Sequence, residues 1–202
     1  MRHTHLPEHK FVKGQPETGV EMAEDLERIA MNFGGENIAA CIIEPIAGST
    51  GTLVPPKGYL KRIREICDKH GILLIFDEVI TGWGRTGSAF AAQEWNVTPD
   101  IMTMAKATTN GVVPMGVVAV KEEIYDSVLD ASSAPEGTPE LFHGYTYSGI
   151  PVAVAAALAV QDIFDKEDLI NRAKEMSPYF QDGLHSLKDL KEIVSIRGYG
   201  MM

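Results

Sequence analysis

The chain has 202 residues, with 18 Lys plus Arg against 28 Asp plus Glu and a formal net charge of -10. A nucleic acid or an anionic membrane surface needs a cationic face that releases counterions, so this balance argues against both as partners. At 45% hydrophobic and 23% charged, the composition is that of an ordinary folded domain rather than a disordered chain. The longest wholly apolar run, residues 150–160, falls well short of the roughly 20 needed to span a bilayer. The first nine residues hold Arg2 and three histidines but no apolar signal segment. Two cysteines, Cys41 and Cys67, make no disulfide framework. A soluble, cytoplasmic protein is the expectation.

In chain order, residues 1–19 are aperiodic and broken by Pro7, Gly14, Pro16 and Gly19, so they read as a loop rather than the start of a compact fold. Over 20–33, Met22, Ala23, Leu26, Ile29 and Ala30 recur at helical spacing, and Gly34-Gly35 ends the helix. Residues 38–43 form a continuous apolar run suited to a strand buried on both faces. Glu44-Pro45 closes that strand, and 47–58 is a Gly/Pro-rich loop.

Residues 59–70 put Leu60, Ile63, Ile66 and Cys67 on one helical face, with Gly71 placed just past the helix end. Residues 72–76 read as a buried strand ending in Asp77-Glu78, which completes a βαβ unit with parallel pairing. Further strands are predicted over 101–104 and over 112–120, the latter broken by Pro114 and Gly116. Residues 151–164 are Ala/Val-rich with almost no polar face, which predicts a buried helix. Residues 169–187 read as an amphipathic helix, 192–196 as the start of a strand, and Glu122-Glu123 and Lys166-Glu167-Asp168 as solvated charge clusters. The architecture is α/β with a mostly parallel sheet flanked by helices. Ligands of such sheets sit beyond the carboxyl ends of the strands, where Glu44, Asp77 and Lys106 fall.

A carboxylate that follows five apolar residues stands at the rim of a buried sheet, where an unpaired charge is costly. Asp77-Glu78 is open to three readings. It is a helix cap or rim salt bridge, or the Mg²⁺ and water site of an ATPase, or a carboxylate that keeps a cofactor's pyridinium nitrogen protonated. The ATPase reading needs a G-x-x-x-x-G-K-[ST] loop, and no Gly-Lys dipeptide occurs in the chain. The third needs a lysine. Lys106 follows the apolar strand 101–104 and precedes a turn, Thr108-Thr109-Asn110-Gly111. A lone lysine there is ordinarily solvated, but apolar residues before it and small ones after it are conditions that strip hydration from an amine and favour it as a nucleophile. The histidines at 3, 5 and 9 lack a partner acid at ligand spacing and read as surface residues, so no metal site is expected.

Four motifs now stand together in order: Glu44-Pro45-Ile46, Phe76-Asp77-Glu78-Val79-Ile80-Thr81-Gly82-Trp83-Gly84-Arg85-Thr86-Gly87, Met104-Ala105-Lys106, and His143-Gly144-Tyr145-Thr146-Tyr147-Ser148-Gly149. This set resembles the class III aminotransferases, pyridoxal 5'-phosphate (PLP) enzymes of fold type I, and within them the omega-amino acid–pyruvate (β-alanine–pyruvate) branch. The resemblance implies that Lys106 forms the Schiff base with PLP and then moves the proton between substrate and cofactor. It implies that Asp77 pairs with the pyridine nitrogen, that Val79 packs on one face of the ring, and that Thr146 reaches the phosphate of a neighbouring subunit's cofactor, hence a homodimer or higher. Glu44 matches an active-site-proximal glutamate, a possible substrate-side residue. The run 84–87 reads as turn glycines with an anchoring arginine. Ile150 departs from the family, which often carries His before the proline.

The implied reaction is a ping-pong transfer of an amino group from a small-molecule donor, an omega-amino acid or amine, to pyruvate or a similar keto acid. The alternatives are other PLP chemistry on the same fold, an aminomutase or decarboxylase, or a catalytically inactive fragment. The family's chains are longer, with a phosphate loop upstream and a substrate-binding arginine downstream of the motifs matched here. The chain is therefore expected to be a fragment of the large domain: a partial lead-in over 1–19, part of the PLP-binding domain over 20–190, and the start of a truncated C-terminal domain over 191–202.

Overall fold

A computed structural model of the chain describes residues 1–131 and 144–202. Helix α1, Glu24–Phe33, follows a 3-10 turn at Val20–Ala23. Strand β1, Ala40–Ile43, and helix α2, Tyr59–His70, lead to strand β2, Leu73–Asp77. The predicted glycine at 71 stands just past α2 with φ 68°, where a residue without a Cβ is unstrained, and its N–H donates to the Cys67 carbonyl. A short helix α3, Ala91–Glu94, precedes strand β3, Ile101–Met104. Strand β4, Val117–Val120, is followed by α4, Glu122–Ala131, and the long helices α5, Pro151–Lys166, and α6, Leu169–His185.

The sheet runs in the order β1-β2-β3-β4. β1, β2 and β3 pair in parallel, and β4 pairs antiparallel with β3, Met104 opposite Val117. The connection over 105–116 is too short for a crossover, and Asn110 and Gly111, at φ 51° and 75°, turn the chain straight back. The strand predicted over 112–120 is ladder only from Val117, because Pro114 has no N–H to give.

One face of the sheet carries the core. Met22, Leu26 and Ala30 pack with Leu60, Ile63, Ile66 and Cys67 of α2 over Cys41, Leu74 and Phe76. Among the described residues the opposite face is only partly covered, which corrects the prediction of a β1 buried on both sides: Cys41 turns toward the helices, while Ile42 is 61% exposed. α5 is likewise not the buried helix predicted. Ala153 alone is buried along it, and Val152, Leu158 and Ile163 are exposed, because no described element covers that side. Glu122 and Glu123, predicted as a solvated cluster, open α4, where acidic side chains suit the helix dipole.

The irregular first residues are fastened rather than loose. Arg2 grips Asp25 through its backbone N–H and guanidinium, and with Arg28 holds that carboxyl down to about 2. Residues 192–196, predicted to start a strand, form no ladder among the described residues. The Ile196 N–H instead donates to Lys10 O at 2.7 Å, and Arg197 reaches Gly51 O at 2.7 Å.

Candidate active site

Parallel strands end on the same rim, so the residues after β1, β2 and β3 gather there. Asp77 is the last residue of β2 and lies opposite Thr103 of β3, three residues before Lys106. The two acids at 77 and 78 divide their work. Glu78 is fully buried, and its carboxylate accepts the Thr81 hydroxyl at 2.6 Å and the N–H groups of Ala91 and Ala92 at 2.9 and 2.8 Å. It caps the start of α3, and burial pushes its carboxyl above the ordinary range. The cap reading therefore holds for Glu78. Asp77 is half-buried, with Oδ1 accepting the Val79 N–H at 3.0 Å and Oδ2 without a hydrogen-bond partner among the described residues.

Lys106 opens a single 3-10 turn, Lys106–Thr108, with φ 41°. Its ammonium has no hydrogen-bond or ion-pair partner among the described residues and is exposed, not walled in by apolar neighbours as the sequence suggests, because Ala107 and Gly111 are too small to cover it. It stands on a cavity of about 600 Å³ that also exposes Val79, Ile80, Arg85, Asn110 and Met201. Gly48 forms part of the wall, where a Cβ would lie 2.6 Å from Ile80 Cδ1.

Arg85 is the residue that sequence reasoning placed elsewhere, as a turn anchor. Its backbone carbonyl does anchor, accepting the Met201 N–H at 2.8 Å beneath Gly200, whose Cβ would stand 2.4 Å from that oxygen. The residue also lines the Lys106 cavity, and its side chain has no hydrogen-bond or ion-pair partner among the described residues. By contrast, Arg2, Arg28, Arg62 and Arg64 sit on carboxylates, and Arg197 donates to Gly51 O and Ser195. Its one sequence signal was a cation between glycines, eight residues after Asp77.

The remaining predicted residues are not all brought together. Val79 lies on the Lys106 cavity and on a second cavity of about 680 Å³, lined by Met104, Val117, Tyr145, Tyr147 and Ser148. Thr146 is exposed in the turn that includes those tyrosines and lines neither cavity, and His143 lies outside the described residues. Glu44 faces another cavity, beside Arg2 and Tyr59, and its Oε2 accepts the Gly48 N–H at 2.9 Å. It reaches the Lys106 cavity only through that glycine. Of the N-terminal histidines, His3 Nδ1 accepts the His5 N–H, and His9, buried rather than on the surface as predicted, accepts the Leu6 N–H on Nδ1. Among the described residues no cluster of three or more His, Cys, Asp or Glu could hold a metal ion, and no helix is long and apolar enough to cross a membrane.

This arrangement of parallel strands ending at Asp77 and Lys106 is the PLP-dependent transferase architecture of fold type I, as its structural neighbours show. Residues 2–202 match the class-III aminotransferase family, to which the chain belongs. It is 54% identical, over its whole length, to 46% of an omega-aminotransferase of Caulobacter vibrioides. It is 49% identical, again over its whole length, to 45% of a beta-alanine–pyruvate aminotransferase of Pseudomonas aeruginosa. A thermostable (S)-enantioselective omega-transaminase from Thermomicrobium roseum superposes with a TM-score of 0.83 at 42% identity, covering 89% of this chain and 39% of that one. The chain thus spans about half the length of the curated relatives it matches.

Proposed function

We propose that the chain carries the lysine and carboxylate of a PLP-dependent aminotransferase that passes an amino group from an omega-amino acid or amine to pyruvate or a similar 2-oxo acid. The relatives' names support the substrate class. The observation that carries the cofactor reading is the pairing on one rim of an unpartnered Lys106 ammonium, open on a cavity, with an Asp77 whose Oδ1 is fixed and whose Oδ2 is free. These residues fit PLP: an amine for its aldehyde, an acceptor for its ring N–H, and the aliphatic Val79 for a ring face.

PLP, when bound, supplies a protonated ring that draws off the electron pair left at the substrate carbon. Lys106 would hold the aldehyde through its amine and would serve as the base that moves the substrate proton. Asp77 Oδ2 would accept from the ring N–H, with the Val79 N–H on Oδ1 keeping the carboxylate from rotating. Arg85, the second cation on the cavity, meets a substrate carboxylate. Glu44 shapes the wall by holding Gly48. Thr146, exposed on its turn, is assigned to the cofactor phosphate of a neighbouring subunit in a homodimer.

Borohydride reduction in the presence of PLP tests this reading. A pyridoxyl mass on the Lys106 peptide, diminished in Asp77→Ala, is expected. Saturating PLP with no adduct at Lys106 overturns it.

A further inference from the structure

Lys106 holds φ 41°, a left-handed conformation that a residue with a long side chain adopts only when its surroundings impose it. The fastenings around it are specific. Thr108 is buried, and both its N–H and its hydroxyl donate to the Ala105 carbonyl, each at 2.9 Å, across the lysine. The N–H groups of Thr109 and Gly111 donate to the Lys106 carbonyl at 3.4 and 3.3 Å. The Thr108 hydroxyl oxygen also accepts the indole N–H of Trp83 at 3.0 Å.

Trp83 is itself fixed. Its N–H donates to Ala89 O, closing the loop after Asp77, and its ring lies 5.1 Å from Phe90 and 6.2 Å from Phe164 of α5. One hydroxyl therefore joins the loop that follows Asp77 to the peptide that precedes Lys106. A Thr hydroxyl rotates freely unless something selects its direction. A donor on its oxygen leaves the proton free to point at the Ala105 carbonyl, and a hydrogen bond that is already polarised strengthens the next in the chain.

We propose that Trp83 and Thr108 are a positioning pair for Lys106: the indole N–H sets the Thr108 hydroxyl on the Ala105 carbonyl and so holds the lysine backbone in the conformation that presents its amine to the cavity. The role rests on Lys106 being the reactive lysine. Neither residue lines the Lys106 cavity, so the pair acts through the backbone.

The test compares wild type with Thr108→Val, which keeps the volume and removes the hydroxyl, and with Thr108→Ser, which restores it. In a third protein Trp83 is replaced by its benzothienyl isostere, which keeps the fused rings and lacks the N–H. Amide hydrogen exchange over 106–111, and acetylation of Lys106 relative to the helical Lys61, are read by mass spectrometry without cofactor. Thr108→Val and the isostere each speed exchange over the turn and shift Lys106 acetylation by about three- to ten-fold, the range expected for one buried hydrogen bond. Thr108→Ser stays with wild type, and combining the isostere with Thr108→Val adds nothing further, because the two groups act as one unit.

Exchange and acetylation that match wild type in either the isostere or the Val protein overturn the proposal, and so do fully additive effects. Should Thr108→Val not fold, the isostere alone decides. If wild-type Lys106 takes no PLP while exchange and acetylation behave as stated, the cofactor assignment fails and the positioning pair stands.

Discussion

Replacing Asp100 with Asn strikes the sheet where it is most cross-linked. Asp100 is 8% exposed and immediately precedes β3, the strand that delivers Lys106. Its Oδ2 accepts the Leu74 N–H of β2 at 2.7 Å and Arg64 of α2 at 2.7 Å, and its Oδ1 meets Lys121, just after β4, at 2.7 Å. Burial pushes the carboxyl up, but Lys121, the Leu74 N–H and Arg64 together hold it below the usual carboxylate range. An Asn has the same outline and only one acceptor oxygen, so its NH₂ must face either Lys121 or the Arg64 and Leu74 donors. A hydrogen bond between a charged pair contributes about 1.5–3 kcal/mol. The Lys121 share is discounted toward that of a surface pair, below about 1 kcal/mol, because that side chain is partly solvated. A net loss of about 3 kcal/mol follows, once the strand N–H that loses its charged acceptor is included. In a chain of this size that lowers Tm by about 6–12 °C.

The pH dependence has a definite sign. A carboxyl depressed in the fold stabilises above its unfolded value of 3.8, and that stability is lost as pH falls through the lower folded value. Urea unfolding of wild type and Asp100→Asn should therefore show a constant gap at neutral pH that closes under acid. A gap below about 1 kcal/mol at pH 7, or one that persists unchanged into acid, would refute the reasoning.

Glu78→Gln should behave oppositely with pH. Three donors converge on a carboxylate that Gln can replace with only one acceptor oxygen, which costs about 1–3 kcal/mol at neutral pH by urea unfolding. Because burial raises Glu78 in the fold, the gap between wild type and variant should be widest below the unfolded value of 4.5 and shrink as pH rises through the folded one. Arg85→Gln should raise KM for amino donors bearing a carboxylate by about ten- to a hundred-fold, with donors lacking one little changed, since a charged hydrogen bond is lost only where a carboxylate is present. Equal effects on both kinds of donor would assign Arg85 to the turn alone.

What local pattern governs was legible before the structure: α2 with its glycine stop, β2 ending at Asp77, and Lys106 just past β3. Each depends on periodicity or on a residue's own φ. What long-range packing governs was not. Alternation in 38–43 could not say that only the Cys41 side would be covered, and an apolar 151–164 carried no sign that its outer side would lie open. The placement of Arg85 depends on Met201, more than a hundred residues later, pinning its carbonyl. Glu44 was placed correctly on the rim, but its side chain turns toward Gly48 rather than toward the lysine, a choice made by the loop that follows.

The division between Asp77 and Glu78 shows how far alternation reaches. Leu74, Phe76 and Glu78 are each fully buried, while Ile75 and Asp77 between them are only partly so. The period of two continues one residue beyond the ladder, so the core side receives Glu78. A charge placed there must find donors, and the first turn of α3 together with Thr81 supplies them. Asp77 falls on the opposite side, where among the described residues only the Val79 N–H reaches it. An acid pair at the end of a half-covered strand is thus sorted by the pleat: the core-side member is consumed by the fold, and the other keeps an oxygen without a partner among the described residues. Shifting β2 by one residue would exchange the two roles, burying Asp77 without the donors of α3 and leaving the longer Glu78 at the rim. The register set by Ile75 against Ile101 therefore fixes which carboxylate keeps an unpaired oxygen at the rim.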